Sequence, residues 1–301
     1  MQNKLKKLIE ALSKNLVEKD EVIKLALLSM IAKENLILIG PPGTAKSEIS
    51  RRLSQVIKDT NYYEYLLTKF TTPEEVFGPL SINELKKGQF KRNTEGYIPT
   101  SDIVFLDEIF KANSSILNSL LTIINEKVFH NGSQKEKVPL ISLIGASNEL
   151  PMGNSELEAL YDRFLVRKYV DYVSDENIDA LFYLNSQAFE LSDDLKMTRE
   201  ELDTIATQAN VIEIPSKIIE IIKNIRLDFK EVFKENRIEL LSDRRLVKVL
   251  KLLKISAFTN GRKSVNYSDL FLLNHCLWNS PENIDEISKI IHRNIINTEE
   301  I

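Results

Sequence analysis

Eight consecutive residues, Gly40-Pro41-Pro42-Gly43-Thr44-Ala45-Lys46-Ser47, hold the densest chemistry in the chain. The backbone N–H groups of such a loop can converge on phosphate oxygens, while the helix that follows presents its positive N-terminal end. Lys46 would reach the β- and γ-phosphates of a nucleotide, and the Ser47 hydroxyl would ligate Mg²⁺. Ala45 stands where the usual pattern has its second glycine. Alanine is expected to cost little there if the residue is helical, because only positive φ demands glycine. The competing reading is an ordinary strand-to-helix turn with a surface lysine.

Phe105-Leu106-Asp107-Glu108 is the next candidate. A buried strand ending in two carboxylates can place Asp107 toward Mg²⁺ and Glu108 toward an attacking water. In isolation the same residues read as a strand end meeting solvent. Ser147-Asn148 follows the apolar run ISLIGA, and a neutral amide there can hold a nucleophilic water or touch a γ-phosphate; asparagine is also a common turn residue. Arg163 in ALYDRF and the pair Arg244-Arg245 in LSDRRL read as arginines at helix starts, which are usually solvated, so their case rests on the order in which they occur. Cys276, the only cysteine, lies in LFLLNHCLW and reads as a small buried side chain. His130, His275 and His292 share no metal-ligand spacing.

These residues need a scaffold that delivers them together. Leu5, Leu8, Ile9 and Leu12, then Val22, Ile23, Leu25, Ala26, Leu27 and Met30, recur at helical spacing and predict two helices. Asn35–Ile39 is too short for a helix and is ended by Gly40, so it reads as a buried strand; SEISRRLSQVIKD after Lys46 reads as a helix. Strand, glycine loop, helix is the context a phosphate loop requires. Further strands are expected at Tyr62–Phe70, Ile103–Leu106, Leu140–Ala146 and Leu165–Val170, and a helix at Ala112–Glu126. Thr72-Pro73-Glu74-Glu75 spells a capped helix start. Gly88–Tyr97 reads as a protruding hairpin, and Asn131-Gly132 as a tight turn joining two short strands. Apolar strands alternating with helices imply an α/β domain whose parallel sheet is covered on both faces. Beyond about residue 190 only helices are predicted, at Thr198–Ala209, Pro215–Phe233, Ser242–Phe258, Tyr267–Trp278 and Pro281–Ile296, with Ser242 and Ser280 as N-caps. The expected organisation is an α/β domain over residues 1–190 and an all-helical domain over 191–301.

Bulk properties narrow the function classes. With 43% hydrophobic and 28% charged residues over 301 positions, the chain has the profile of a soluble globular protein. A formal charge of −4 argues against constitutive nucleic-acid binding, which leaves a basic footprint. The amphipathic N-terminus lacks a long apolar core and a small-residue cleavage site, and no stretch approaches the length that spans a bilayer. A cytoplasmic location is therefore expected.

In sequence, GPPGTAKS, VFLDE, ASN, YDRF and SDRR resemble the motif order of the AAA+ ATPases, and within them the MoxR family. YEYLLTKFTTPEEVFGPLSI, FLDEIFKANSSILNSLLTIINEK and ASNELP are most similar to its RavA type (regulatory ATPase variant A). The resemblance implies an AAA+ P-loop domain with a five-stranded parallel sheet between helices, followed by an all-helical lid domain, with ATP and Mg²⁺ as cofactors. It makes Gly40, Pro41, Pro42, Gly43, Thr44, Ala45, Lys46 and Ser47 the Walker A segment, and places Val17 near the adenine. Asp107 and Glu108 match Walker B, with Asp107 and Ser47 on Mg²⁺ and Glu108 as catalytic base. Asn148 matches sensor 1, and Arg163 the arginine finger donated to a neighbouring subunit. Arg244 matches sensor 2, with Arg245 close enough to leave the choice open. The family implies a ring, usually hexameric, with ATP between subunits, and a partner carrying a von Willebrand factor A (vWA) domain. The hairpins around Phe90 and Tyr97 and around Asn131-Gly132 would face the pore, although Phe90 and Tyr97 equally suit local packing. RavA-type proteins continue into further C-terminal domains that bind a partner enzyme, and that partner is not carried over to this chain.

Three functions follow as expectations. The leading one is an ATP-hydrolysing, chaperone-like remodeller of protein complexes. A nucleotide-gated scaffold with negligible turnover has no need of Glu108 and Arg163. A nucleic-acid-directed motor is disfavoured by the overall acidity and the lack of a dense Lys/Arg stripe.

Overall fold

The computed structural model describes residues 1–151, 153–184, 188–234 and 241–299. Helices α1 (Gln2–Ser13) and α2 (Asp20–Ile31) form where the apolar periodicity places them, and α1 buries Leu5, Leu8 and Leu12. Strand β1 (Leu36–Ile39) is buried along its whole length and feeds the glycine loop, which opens α3 (Lys46–Ser54). Strand β2 (Tyr62–Leu66) ends four residues before the predicted Phe70. Thr68 and Thr71 turn the chain there: the Thr71 hydroxyl accepts from the Thr68 N–H at 2.9 Å, and the Thr68 hydroxyl from the Phe70 N–H at 3.2 Å. Helix α4 (Pro73–Phe77) starts on the predicted Thr72–Glu75 capping box, and the short α5 (Ile82–Leu85) follows.

Next come β3 (Ile103–Asp107), α6 (Ser114–Glu126), β4 (Val128–Asn131), β5 (Gln134–Lys137), β6 (Ser142–Ser147), α7 (Ser155–Tyr161) and β7 (Val166–Tyr169). The main sheet is five-stranded, ordered β2-β3-β6-β1-β7, and every pairing in it is parallel. β4 and β5 form the expected antiparallel hairpin, with Gly132 at φ +63° in its turn. Gly88–Tyr97 is not a hairpin of its own. A single bridge joins Leu80 to Arg92, and the segment lies on the β4–β5 hairpin instead. Asn131 binds the Arg92 backbone in both directions, accepting at 2.6 Å and donating at 3.0 Å. A Cβ on Gly132 would come within 2.4 Å of the Phe90 carbonyl, so the close approach requires glycine. Phe90 is exposed, whereas Tyr97 is half-buried against Tyr63, its ring centroid 6.4 Å away.

The C-terminal region is helical: α8 (Arg199–Ala209), α9 (Ser216–Val232), α10 (Asp243–Thr259), α11 (Tyr267–Leu270) and α12 (Ile284–Glu299). Ser242 caps α10 by accepting from the Arg245 N–H at 3.2 Å; Ser280 makes no capping bond. The helix predicted over Tyr267–Trp278 breaks after α11 into a 3₁₀ turn at Phe271–His275. Beyond that turn the carbonyls of Trp278 and Asn279 accept from Arg167 at 2.6 Å and from the Tyr161 hydroxyl at 2.9 Å. They serve the α/β body rather than a helix ladder. Among the described residues no helix is long and apolar enough to cross a membrane.

Candidate nucleotide site

Parallel register delivers the sequence motifs to one edge of the sheet. Ile39 pairs with Ser147, Leu106 with Gly145 and Leu66 with Asp107. Gly40, Asn148 and Asp107-Glu108 therefore all leave the sheet at its carboxyl edge, the side on which open α/β sheets bind ligands. The Gly40 N–H donates to the Ser147 carbonyl at 3.0 Å, which ties the start of the loop to the strand carrying Asn148. Gly40 also lies against Val170, whose carbonyl oxygen would be 2.0 Å from any Cβ, so no other residue fits.

Lys46 is buried, and its ammonium turns back into the loop, donating to the carbonyls of Gly40 at 2.8 Å and Pro41 at 2.7 Å. Thr44 closes the loop through its hydroxyl, which donates to the Pro41 carbonyl at 2.9 Å. Burial pushes the Lys46 pKa down, while the charges of Asp107 and Glu108 act in the opposite sense. Ser47 is half-buried in the first turn of α3, and Pro42 and Gly43 are exposed. Ala45 departs from expectation. It is not helical but left-handed, at φ 66° and ψ 20°, the region that favours glycine.

Glu108 is left-handed too, at φ 52°, which turns its side chain away from the strand direction as the chain leaves β3. The Asp107 carboxylate accepts from the Glu108 N–H at 3.0 Å, and the Glu108 carboxylate lies 3.4 Å from the Lys111 ammonium. Asn148 is exposed beyond β6, where the Ser147 hydroxyl donates to the Glu149 carbonyl at 2.8 Å and shapes the turn. Val17 is half-buried between α1 and α2. Its segment is fixed to the same carboxyl edge, because Lys19 donates to the Asp171 carbonyl at 3.0 Å and Glu18 accepts from the Ser174 N–H at 2.9 Å. Three hydrogen bonds to Ser174 and Asn177 pull the Glu18 pKa down to about 2. Oxygen donors at Ser47 and Asp107 beside a phosphate loop suit Mg²⁺, which typically takes one or two protein oxygens plus substrate phosphates. No group of three or more His, Cys, Asp or Glu converges among the described residues.

The arginines lie elsewhere. Asn35, at the start of β1, donates to the Arg163 carbonyl at 3.4 Å, and Leu36 pairs with Val166. Arg163 is thus at the amino edge of the sheet, about 16 Å from Gly40 at ~3.3 Å per extended residue. Its guanidinium donates to Asn125 at 2.6 Å and to Asp162 at 3.2 Å. Burial, and then the like charge of Arg244, push its pKa down. Arg244 also pairs with Asp162, and so does Arg245 at 2.9 Å. The two differ in exposure: the Arg244 side chain is 50% exposed, Arg245 only 7%. Arg245 is shared with Asn279 at 3.1 Å. Asn279 also accepts from Arg167, a wholly buried arginine whose guanidinium lies 4.0 Å from the Tyr161 ring centroid. Asp162, Arg167 and Asn279 are absent from the sequence-based site. The acid beside Arg163 and an arginine within the otherwise apolar start of the strand LVRKY were the available signals. Cys276 is fully buried, and burial pushes its thiol up to about 12, which rules out a nucleophilic role.

A strand, glycine loop and helix at the carboxyl edge of a five-stranded parallel sheet, followed by a helical lid, define a P-loop nucleotide-binding protein of the AAA+ kind. Comparison with known families agrees: the MoxR domain of MoxR–vWA–beta-propeller ternary systems matches residues 3–209, and an AAA lid domain matches residues 217–291. The chain belongs to the MoxR family of AAA+ ATPases. It is 45% identical over 291 residues to an uncharacterized protein of Methanocaldococcus jannaschii, covering 96% of this chain and 74% of that one. The chaperone MoxR1 of Mycobacterium tuberculosis is 24% identical over 183 residues, covering 60% of this chain and 47% of MoxR1. A crystal structure from Cytophaga hutchinsonii superposes with a TM-score of 0.74 at 19% identity, over 99% of this chain and 94% of that one, which is likeness of fold.

Proposed function

We propose that this MoxR-family ATPase hydrolyses ATP with Mg²⁺ in a ring whose active sites lie between subunits, and that it acts as a chaperone-like remodeller of a protein complex. Gly40–Ser47 would hold the phosphates with Val17 near the base, Ser47 and Asp107 the Mg²⁺, and Glu108 the attacking water, with Asn148 beside the γ-phosphate. Arg163 would be the finger given to the next subunit, and Arg244 the second arginine. One observation carries the reading: the phosphate loop and the arginines leave opposite edges of the same sheet. Within one chain Arg163 is too far from Lys46 to reach a shared γ-phosphate, so a head-to-tail neighbour must supply it. The matched family model concerns ternary systems with a vWA protein and a beta-propeller, which supports a vWA-domain partner. The likeness to a MoxR chaperone supports remodelling over scaffolding.

A mixing experiment tests the shared site. Lys46→Ala spoils a subunit's own loop and leaves its finger; Arg163→Ala does the reverse. Each variant alone should be inactive. Mixed in equal amounts, about a quarter of the interfaces pair an intact loop with an intact finger, so roughly a quarter of wild-type turnover should return. No recovery on mixing, or full turnover by Arg163→Ala alone, would refute the arrangement.

A further inference from the structure

After β7, residues 171–184 form an exposed strap that the nucleotide chemistry does not use. Tyr172, Ile178, Leu181, Phe182, Tyr183 and Leu184 are all exposed along it, Phe182 and Tyr183 by more than 80%. An apolar run this open is rarely left to solvent in a finished assembly. The strap also carries Asp171, Asp175, Glu176 and Asp179, and no lysine or arginine from 171 to 184. It is not adrift at its base. Ser174 and Asn177 are bound by Glu18, and further along the Phe189 ring sits under Arg52 of α3, 4.6 Å from the guanidinium carbon, while the Phe189 carbonyl accepts from Gln55 at 3.1 Å. The strap thus leaves Val170, the residue against which Gly40 packs, and rejoins the body beyond the end of the phosphate-loop helix.

The opposite edge of the molecule has the complementary character. Lys33, Lys127, Lys248, Lys251, Arg163 and Arg244 gather near the amino edge of the sheet. The carboxylates paired with them are Glu34, Asp162 and Asp203, and Glu126 and Asp243 adjoin Lys127 and Arg244 in the chain. Burial lowers the Lys127 pKa to about 8; Glu34 opposes the shift, and the like charges of Lys248, Lys251 and Lys33 add to it. One edge is therefore acidic and apolar, the other basic.

We infer that the strap over residues 171–184 docks on the basic amino edge of a second copy of this chain and anchors the head-to-tail contact through Phe182 and Tyr183. The inference rests on the shared-site reading above. Whatever brings Arg163 of one copy to the phosphate loop of the next also brings the strap beside that loop against Lys248 and Lys251. Acidic residues steer the encounter and fix its register, and the buried aromatics supply the affinity.

Sedimentation velocity of the full chain with ATP and Mg²⁺ tests this. Phe182→Asp/Tyr183→Asp should raise the dissociation constant for assembly at least tenfold, and turnover per subunit at fixed concentration should fall with it. Val211→Asp, equally exposed but off the strap, should change neither. Asp175→Lys/Asp179→Lys should weaken assembly at low salt, and the difference from wild type should shrink at high salt. If both strap variants assemble as wild type does while Lys46→Ala and Arg163→Ala still complement each other, the strap is not the anchor and the shared site stands. If the wild type stays monomeric at every concentration with a constant turnover per subunit, the shared site and the strap fall together. Circular dichroism of each variant excludes loss of fold as the cause.

Discussion

At the scale of single residues, Ala45 and Glu108 are two of the seven described non-glycine residues at positive φ, and they adjoin Lys46 and Asp107. Left-handed backbone costs an ordinary residue about 1–2 kcal/mol. Ala45 sits where a glycine would relieve that cost, and its short side chain is half-buried rather than tightly enclosed. Ala45→Gly should therefore raise stability by about 1 kcal/mol, because the strain removed exceeds the extra freedom of glycine in the unfolded chain. Urea unfolding should show a higher midpoint at unchanged slope. A lower midpoint would mean that the alanine is held by packing that glycine cannot supply. Glu108 is a different case: its turn leaves the carboxylate 3.4 Å from the Lys111 ammonium, so strain there serves the position of a charge.

At the scale of elements, the carboxylate of Glu21 at the start of α2 joins three parts. It accepts from Lys168 of β7 and lies 3.1 Å from His275 of the 3₁₀ turn. The hydrogen bond to His275, followed by Lys168, lowers its pKa from 4.5 to about 2 against a desolvation cost that acts in the other direction. A depressed folded pKa gives stability that is complete above the unfolded value and is lost as pH falls through the folded one. Glu21 should thus contribute above about pH 4.5 and fade toward pH 2. Glu21→Gln should be less stable than wild type at pH 6, and the two should converge in thermal melts as pH drops to 2; a constant gap would argue against the pairing.

The elements that were legible in the sequence share one property: their cause is local. The Thr72–Glu75 capping box, the buried run Leu36–Ile39 and the helix face of α6 each follow from residues a few positions apart. So does the glycine loop, whose flanking strand and helix are its own neighbours. What the sequence hid has distant causes. The stretch Gly88–Tyr97 takes its shape from Asn131, and the helix expected to reach Trp278 is broken where backbone carbonyls turn to Arg167 and Tyr161. The left-handed Ala45 has another reason: the glycine usual at that position is the sign of positive φ, and the alanine in its place reads as helical.

At the scale of the whole molecule, a chain of polar contacts joins the helical lid to the arginines of the α/β body. Arg167 of β7 and Arg245 of α10 share the Asn279 side chain; Arg245 and Arg244 share Asp162; Asp162 holds Arg163. Any rotation of α10 relative to the sheet must move the Asp162 carboxylate or break these bonds, so the position of the lid bears on the position of Arg163, the proposed finger. Asp162 is then a positioning residue: it touches no phosphate but gathers three guanidinium groups whose mutual repulsion it offsets. Asp162→Asn keeps the shape and removes the charge, and it should free Arg163 and Arg244 from each other. Binding of nucleotide by the subunit's own loop should be little changed, while turnover falls by about tenfold or more, as expected when a transition-state contact is misplaced. Mixing separates this from a merely structural defect. Asp162→Asn mixed with Lys46→Ala should regain turnover, because the second variant brings an intact finger to an intact loop. Mixed with Arg163→Ala it should regain none, since neither subunit then offers a placed arginine. Recovery with Arg163→Ala in place of Lys46→Ala would show that Asp162 acts on its own subunit's loop, and the coupling of the lid to Arg163 would have to be abandoned.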